Sequence, residues 1–360
     1  MSAPLTSLEP PTPDFARRRP GVPLVTIGLP AYNRPLLLRE ALASIAAQQN
    51  FADFEVVVCD DGELAETRLA IEQCGVPNIR YYVNRPRLGP IANWNRCLQL
   101  AAGSWVTVLH EDDTLYPWFL ATIAPHLRAG IAAVAVHCVQ GNRPPTLAPP
   151  ADRARAPRAY APAWFLKGAM TPFPGVVFPR ELARRLGGFD PRQGGIADYA
   201  FWYALACAGR IDVLPVTAAF YRVGEGQWTE REWPTMIRHA HLLRLRIVRE
   251  QFSDRPRLGR WLARFYTGRL ARAYARRFAE KPAGLTRAAR FQRIPFGWLP
   301  SGWVWKFQQL TTRPPTEKQG HYASGEVGHL RAIRDRLTAD LSSAGRLGRA
   351  EEAFAEEVAL

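Results

Sequence analysis

A chain of 360 residues with 47% hydrophobic and 22% charged side chains can bury a full core, which excludes a disordered or fibrous protein. Its net charge of +15 is concentrated: 19 basic and 4 acidic residues lie between Arg231 and Arg313, and the remainder balances to zero. Five cysteines (Cys59, Cys74, Cys97, Cys138, Cys207) are widely spaced and form no CxxC pair, so a disulfide framework or cysteine zinc site is not expected and a reducing, cytoplasmic setting fits.

Residues 1–22 are rich in proline, carry Arg17, Arg18 and Arg19, and read as a flexible tail with no secretory leader. From Leu24 to Val139, short apolar strands alternate with stretches of helical periodicity. Strands are expected at Leu24–Leu29, Phe54–Cys59, Ile79–Val83, Trp105–Leu109 and Ile131–His137. Helices are expected at Pro35–Gln48, Glu63–Cys74, Pro90–Ala101 and Pro117–Leu127. This alternation predicts an α/β protein with a mostly parallel sheet, whose ligands bind beyond the carboxyl ends of the strands. Gln140–Ala163 has the composition of a linker or loop. A strand at Gly175–Phe178 follows, then a helix at Arg180–Leu186, the turn Gly187–Asp190 and a helix over Asp198–Ala208. Two strands, Ile211–Val216 and Ala218–Val223, complete this part. Beyond it the chain turns helical and arginine-rich, with polar helices expected over Glu326–Leu360. No apolar run reaches the length of a bilayer span.

The segments after the strands hold the chemistry. Tyr32 and Asn33 follow Pro30, Asp60-Asp61-Gly62 ends a run of valines, and Arg85 and Arg87 lie in the next loop. His110-Glu111-Asp112-Asp113 follows the fourth strand. Any one of these is explained equally well as a turn or a helix start, since Asp, Asn and Gly favour both. The acidic run also has the oxygen-rich chemistry that a hard divalent cation requires, and arginines suit a diphosphate.

Taken in order, the motifs form a more specific pattern. They are Pro-Ala-Tyr-Asn (30–33), Val-Cys-Asp-Asp-Gly (58–62), the run Asn84–Asn95, Leu-His-Glu-Asp-Asp (109–113), Gly-Gly-Phe-Asp (187–190), Ala-Asp-Tyr-Ala-Phe-Trp (197–202) and Phe-Tyr-Arg-Val (220–223). Across roughly residues 23–230 this order resembles family 2 of the inverting glycosyltransferases, of the kind that builds bacterial polysaccharides and glycolipids. The resemblance implies a GT-A fold, a Rossmann-like, mostly parallel sheet flanked by helices. It implies a nucleotide-binding half over 23–139, an acceptor and base half over 163–230, and a basic helical extension over 231–360. It also implies a UDP-, dTDP- or GDP-linked sugar donor, a Mn2+ or Mg2+ ion, a sugar or lipid-linked glycan acceptor, and inversion at the anomeric carbon. Carried over by motif, Pro30, Tyr32, Asn33, Asp60, Asp61, Arg85, Arg87, Asn93, His110 and Glu111 belong to the nucleotide-sugar site. Asp112 becomes the principal metal ligand with Asp113 beside it, and Asp198 the general base. Four positions depart from the family pattern: His110 replaces the first acid of the metal motif, Ala197 an acid before the base, Gly224 a late histidine, with Glu225 and Gln227 nearby, and Glu63 the serine after Asp-Asp-Gly. These departures motivate a second reading, a degenerate GT-A domain that binds a nucleotide sugar or a partner without turnover.

Over Met236–Phe278, arginines interleave with apolar and aromatic residues such as Leu243, Ile247, Trp261 and Phe265. Such helices can lie on an anionic membrane surface, peripheral to its inner face, or pack on the catalytic domain with their arginines solvated. No recognisable nucleic-acid module accompanies them, so nucleic acid is not an expected partner.

Overall fold

In the computed structural model, which describes residues 15–17, 21–150, 156–224, 228–278 and 300–312, a ten-stranded sheet organises the first of two compact units. The units are residues 1–240 and 241–360. In chain order the strands are β1 (Phe15–Arg17), β2 (Val25–Ala31), β3 (Phe54–Asp60), β4 (Ile79–Val83), β5 (Trp105–Val108), β6 (Thr114–Leu115), β7 (Ile131–Gly141), β8 (Arg158–Ala159), β9 (Val176–Pro179) and β10 (Arg210–Arg222). They lie in the order β1-β4-β3-β2-β5-β9-β7-β10-β6, with β8 also on β10.

The heart of the sheet, β4-β3-β2-β5, is parallel. Every residue of β2 and β3 is buried, as a strand covered on both faces requires. Alternation along β3 separates the two layers. Val56 and Val58 join a core with Leu38, Ala41, Leu42 and Ile45 of α1 (Pro35–Ala46) and Ala70 and Ile71 of α2 (Ala65–Gln73). Val57 and Cys59 point the other way, to Cys97 and Leu100 of α3 (Pro90–Leu100). The register brings Ala31, Asp60 and Val83 level, so the loops leaving β2, β3 and β4 share one edge with the turn that follows β5. The remaining helices of this unit are α4 (Phe119–Ile123), α5 (Arg180–Arg185), α6 (Ala197–Ala208) and the first half of α7 (Trp228–Gln251). This is the GT-A arrangement.

Three expectations change. The strands expected at Ile211–Val216 and Ala218–Val223 are one strand, β10, bulged where Val213 opposes Ala135 and Thr217 opposes His137. Pro215 sits inside that bulge, where its missing N–H breaks no ladder bond. The segment expected as a linker instead continues β7 to Gly141, adds β8, and turns through a 3-10 helix at Pro162–Leu166 that buries Trp164, Phe165 and Leu166. Within the expected tail, Phe15–Arg17 pairs antiparallel with β4. The helices expected over Glu326–Leu360 lie outside the described residues.

In the second unit, the end of α7 packs on α8 (Pro256–Arg277) at Gly259, where an added Cβ would come 2.8 Å from Val248. Leu243, Ile247, Val248, Trp261, Leu262 and Phe265 are buried, and α9 (Ser301–Thr311) buries Val304 and Phe307. No helix among the described residues is long and apolar enough to cross a membrane.

Candidate active site

The loops at the sheet edge are built by carboxylates and amides that satisfy one another. Asp60 is fully buried, accepting from Gly62 N (2.8 Å) and from the Tyr81 hydroxyl (2.9 Å). Burial raises its pKa against those hydrogen bonds. Asp61 accepts from Asn84 Nδ2 (2.7 Å) and from the main-chain N–H groups of Leu88 (3.2 Å) and Gly89 (2.8 Å). Asn93 accepts from the same Asn84 amide at 2.9 Å and donates to the Cys59 carbonyl at 2.9 Å. Asp60, Asp61 and Asn93, all expected at the nucleotide-sugar site, thus also hold the loops together. Gly62 is required there, because a Cβ would fall 2.1 Å from Asn33 Oδ1. Asn33 itself has φ 55°, a left-handed conformation that asparagine tolerates.

Tyr32, Asn33, Arg85 and Arg87 form the exposed rim. The Arg87 guanidinium lies 3.8 Å from the centre of the Tyr32 ring and donates to its hydroxyl at 2.9 Å. Arg85 pairs with Glu63 at 3.2 Å. Pro30 is buried near the end of β2.

Beneath the rim, residues 110–113 make a dense acidic turn. Glu111 accepts from Tyr32 N (2.8 Å) and from Arg34 Nε (2.7 Å), and Asp112 accepts from Arg34 NH1 (2.8 Å). Burial raises the pKa of Glu111, opposed by Arg34. Burial acts to lower the pKa of Arg34, but Asp112 and Glu111 outweigh it and raise it. Asp113 is 1% exposed and accepts from Arg222 N at 2.8 Å. Its Oδ2 has no hydrogen-bond partner, and burial pushes this carboxyl well above the usual range. The His110 ring stacks on Trp94 (centroids 5.0 Å apart) and lies 4.3 Å from Phe173; its buried Nε2 is likewise unpartnered. Burial lowers the His110 pKa to about 4, so the ring is neutral and its lone pair free for a metal. One ligand atom each from His110, Asp112 and Asp113 lies within 4.8 Å of the others, a set that fits a divalent cation.

Asp198 reaches this place from the other half of the unit. The 3-10 turn Pro191–Ile196 ends in two glycines before α6. Gly194 has φ 53°, and a Cβ on Gly195 would come 2.7 Å from Met236 of α7. Asp198 accepts from Tyr199 N at 2.7 Å, and burial raises its pKa to about 6. Its charge meets the acidic turn at Tyr221 of β10. That phenol's pKa is raised by burial and then by Asp113, Asp198 and Asp112 together.

Two arginines of the site escape sequence reasoning. Arg34 binds Glu111 and Asp112, and Arg222 donates Nε to the Asp112 carbonyl (2.7 Å) and NH1 to Asn142 O (2.8 Å), and pairs with Glu40. Each stands inside or directly beside a flagged motif, which is the signal available in the sequence.

The acidic turn thus lies at the carboxyl edge of the sheet, where α/β folds bind their ligands. Residues 26–187 match the family described as Glycosyl transferase family 2, and this segment belongs to that family. Among curated relatives, the chain is 27% identical over 258 residues to Uncharacterized protein MT1568 of Mycobacterium tuberculosis, covering 68% of this chain and 76% of that protein. It is 33% identical over 127 residues to the GalNAc(5)-diNAcBac-PP-undecaprenol beta-1,3-glucosyltransferase of Campylobacter jejuni, covering 34% of this chain but only 41% of that enzyme. The crystal structure of S. aureus TarS 1-349 in complex with UDP-GlcNAc shares the fold, with a TM-score of 0.55 at 16% identity over 79% of this chain and 86% of that one.

Proposed function

We propose that the chain transfers a sugar from a nucleotide-sugar donor to an acceptor hydroxyl with inversion, with Asp198 as general base and Asp112 and Asp113 as metal ligands beside His110. The observation that carries this reading is the acidic turn, where one ligand atom each from His110, Asp112 and Asp113 lies within 4.8 Å of the others, with Asp198 in electrostatic range of the same Tyr221. Inverting transfer needs a base on one side of the anomeric carbon and charge compensation for the leaving diphosphate on the other. Two acidic sites within electrostatic reach of one phenol supply that pair.

The acceptor hydroxyl is a poor nucleophile until its proton is being removed, and a carboxylate with a pKa of about 6 is ionised and still basic near neutrality. A Mn2+ or Mg2+ ion, when bound, offsets the charge that develops on the diphosphate. Asp113 Oδ2, buried without a hydrogen-bond partner, and the His110 ring, whose Nδ1 lies 4.0 Å from it, favour such an ion. Tyr32 offers its ring to the base of the donor, with Asn33, Arg85 and Arg87 along the base and diphosphate. Pro30, Asp60, Asp61 and Asn93 act through the loops that they hold, and Glu111 through Tyr32 and Arg34. The Campylobacter relative acts, by its name, on an undecaprenol-diphosphate-linked glycan. A lipid-linked glycan is the acceptor proposed here, met at the inner face of the cell membrane with α8 against anionic headgroups.

The test is release of nucleoside diphosphate from UDP-, dTDP- and GDP-sugars, with Mn2+ and with a chelator. Turnover that the chelator abolishes is expected. Donor binding with neither transfer nor hydrolysis for any donor would favour the binding-module reading instead.

A further inference from the structure

Arg34 has a position that the reaction scheme above leaves unused. It precedes the first turn of α1, and its guanidinium spans the acidic turn, with Nε on Glu111 and NH1 on Asp112. Arg222 meets the same turn differently, with its main-chain N–H on Asp113 and its Nε on the Asp112 carbonyl. Glu111 is fixed on its other oxygen by Tyr32 N. The arginine side chain is 44% exposed, against 3% for Glu111 and 11% for Asp112. A cation open to solvent therefore sits on anions that are nearly buried.

We propose that Arg34 is a resident counter-cation that ties metal binding to donor binding. The inference rests on the metal reading above. A divalent ion at Asp112 has to share that carboxylate with a guanidinium of the same sign, so the ion alone binds weakly. A nucleoside diphosphate adds negative charge beside both cations and gives Arg34 a second oxyanion to pair with. Metal and donor then each strengthen the other's binding by the same factor, as linkage demands. Arg34 is a positioning residue in this account, since it acts through Asp112 and the diphosphate.

The experiment is calorimetric titration of Mn2+ into the full chain, with and without saturating UDP or GDP. The proteins compared are wild type, Arg34→Gln, Arg34→Lys and Asp112→Asn. The wild type is expected to bind Mn2+ roughly tenfold more tightly with nucleotide present. Arg34→Gln should bind Mn2+ alone roughly tenfold more tightly than the wild type and gain less from nucleotide than the wild type does. Arg34→Lys, which keeps the charge, should behave as the wild type. Equal or weaker Mn2+ binding by Arg34→Gln overturns the proposal. Mn2+ binding that is absent in every protein, or untouched by Asp112→Asn, overturns the metal reading itself, a different outcome. Melting temperatures give a second readout should Arg34→Gln fold poorly. With a chelator the variant should melt below the wild type and recover more on adding Mn2+, and an equal recovery contradicts the proposal.

Discussion

Two demands on Asp198 pull in opposite directions. Burial that raises its pKa to about 6 makes it a usable base, yet the same burial penalises the ionised form that the reaction needs. In kinetics, kcat/KM should therefore rise with pH through about 6 and then level, because only the carboxylate accepts a proton. For stability the sign is opposite. The native pKa lies above the ordinary carboxylate value of 3.8, so this residue costs stability progressively as pH rises from about 4 past 6. Asp198→Asn removes that cost: at pH 8 the variant should melt no lower than the wild type, with any advantage vanishing at pH 4. Melting curves at the two pH values check this, and a variant that melts well below the wild type at pH 8 would contradict it. The residue types of this site were legible from the motifs, but the tasks of several were not. Asp60, Asp61 and Asn93 also hold the loops through partners 21 to 34 residues away, such as Tyr81, Leu88, Gly89 and Cys59. Arg34 and Arg222 bind partners at least 77 and 80 residues away, and in an arginine-rich chain their place in or beside a flagged motif is the one local mark they carry.

At the scale of elements, the strand–helix alternation over Leu24–Leu109 was readable because both faces of β2 and β3 are covered and the apolar runs are unbroken. Composition misleads where tertiary contacts override it. The break expected after Val216 is a bulge within the single strand β10, and the proline-rich 140–163 segment holds the end of β7, β8 and the start of a 3-10 helix that goes on to bury Trp164 and Phe165. The loop after β3 gives the sharpest test at this scale. Gly62→Ala forces a Cβ into the space of Asn33 Oδ1, at 2.1 Å, and Asn33 is held in a left-handed conformation beside Tyr32. Overpacking of this kind costs about 1–3 kcal/mol. The expected outcome is a urea midpoint lowered to match, together with weaker nucleotide-sugar binding. Unchanged stability and binding would mean that this loop yields freely and does not shape the site.

Across the whole molecule, charge divides the chain more sharply than any motif does. Helix α8 carries seven arginines and no acid, and the pKa of Arg269 is lowered by burial and then by Arg272 and Arg276. Like charges gathered on one helix are favourable only when something anionic faces them. If that partner is a membrane, the protein should co-sediment with anionic vesicles at low salt and dissociate as ionic strength rises, since screening shortens the interaction to about 3 Å near 1 M. Replacing Arg269, Arg272 and Arg276 together by glutamine should weaken vesicle binding while leaving turnover on a water-soluble acceptor unchanged. Wild-type protein that ignores anionic vesicles at low salt would contradict the membrane assignment and leave the catalytic reading standing.

That catalytic reading turns on one carboxylate, and Asp198→Asn isolates it. Asparagine keeps the size and the hydrogen bond that Asp198 Oδ1 accepts from Tyr199 N at 2.7 Å, but cannot take a proton from the acceptor. Turnover of the variant, measured as nucleoside diphosphate released under saturating donor and Mn2+, should fall by about 10²–10⁴-fold, the usual contribution of a general base. Donor affinity should stay within about twofold of the wild type, since the base contacts the acceptor side of the reaction. Near-normal turnover by Asp198→Asn would contradict the account, because the base role is assigned to this carboxylate alone.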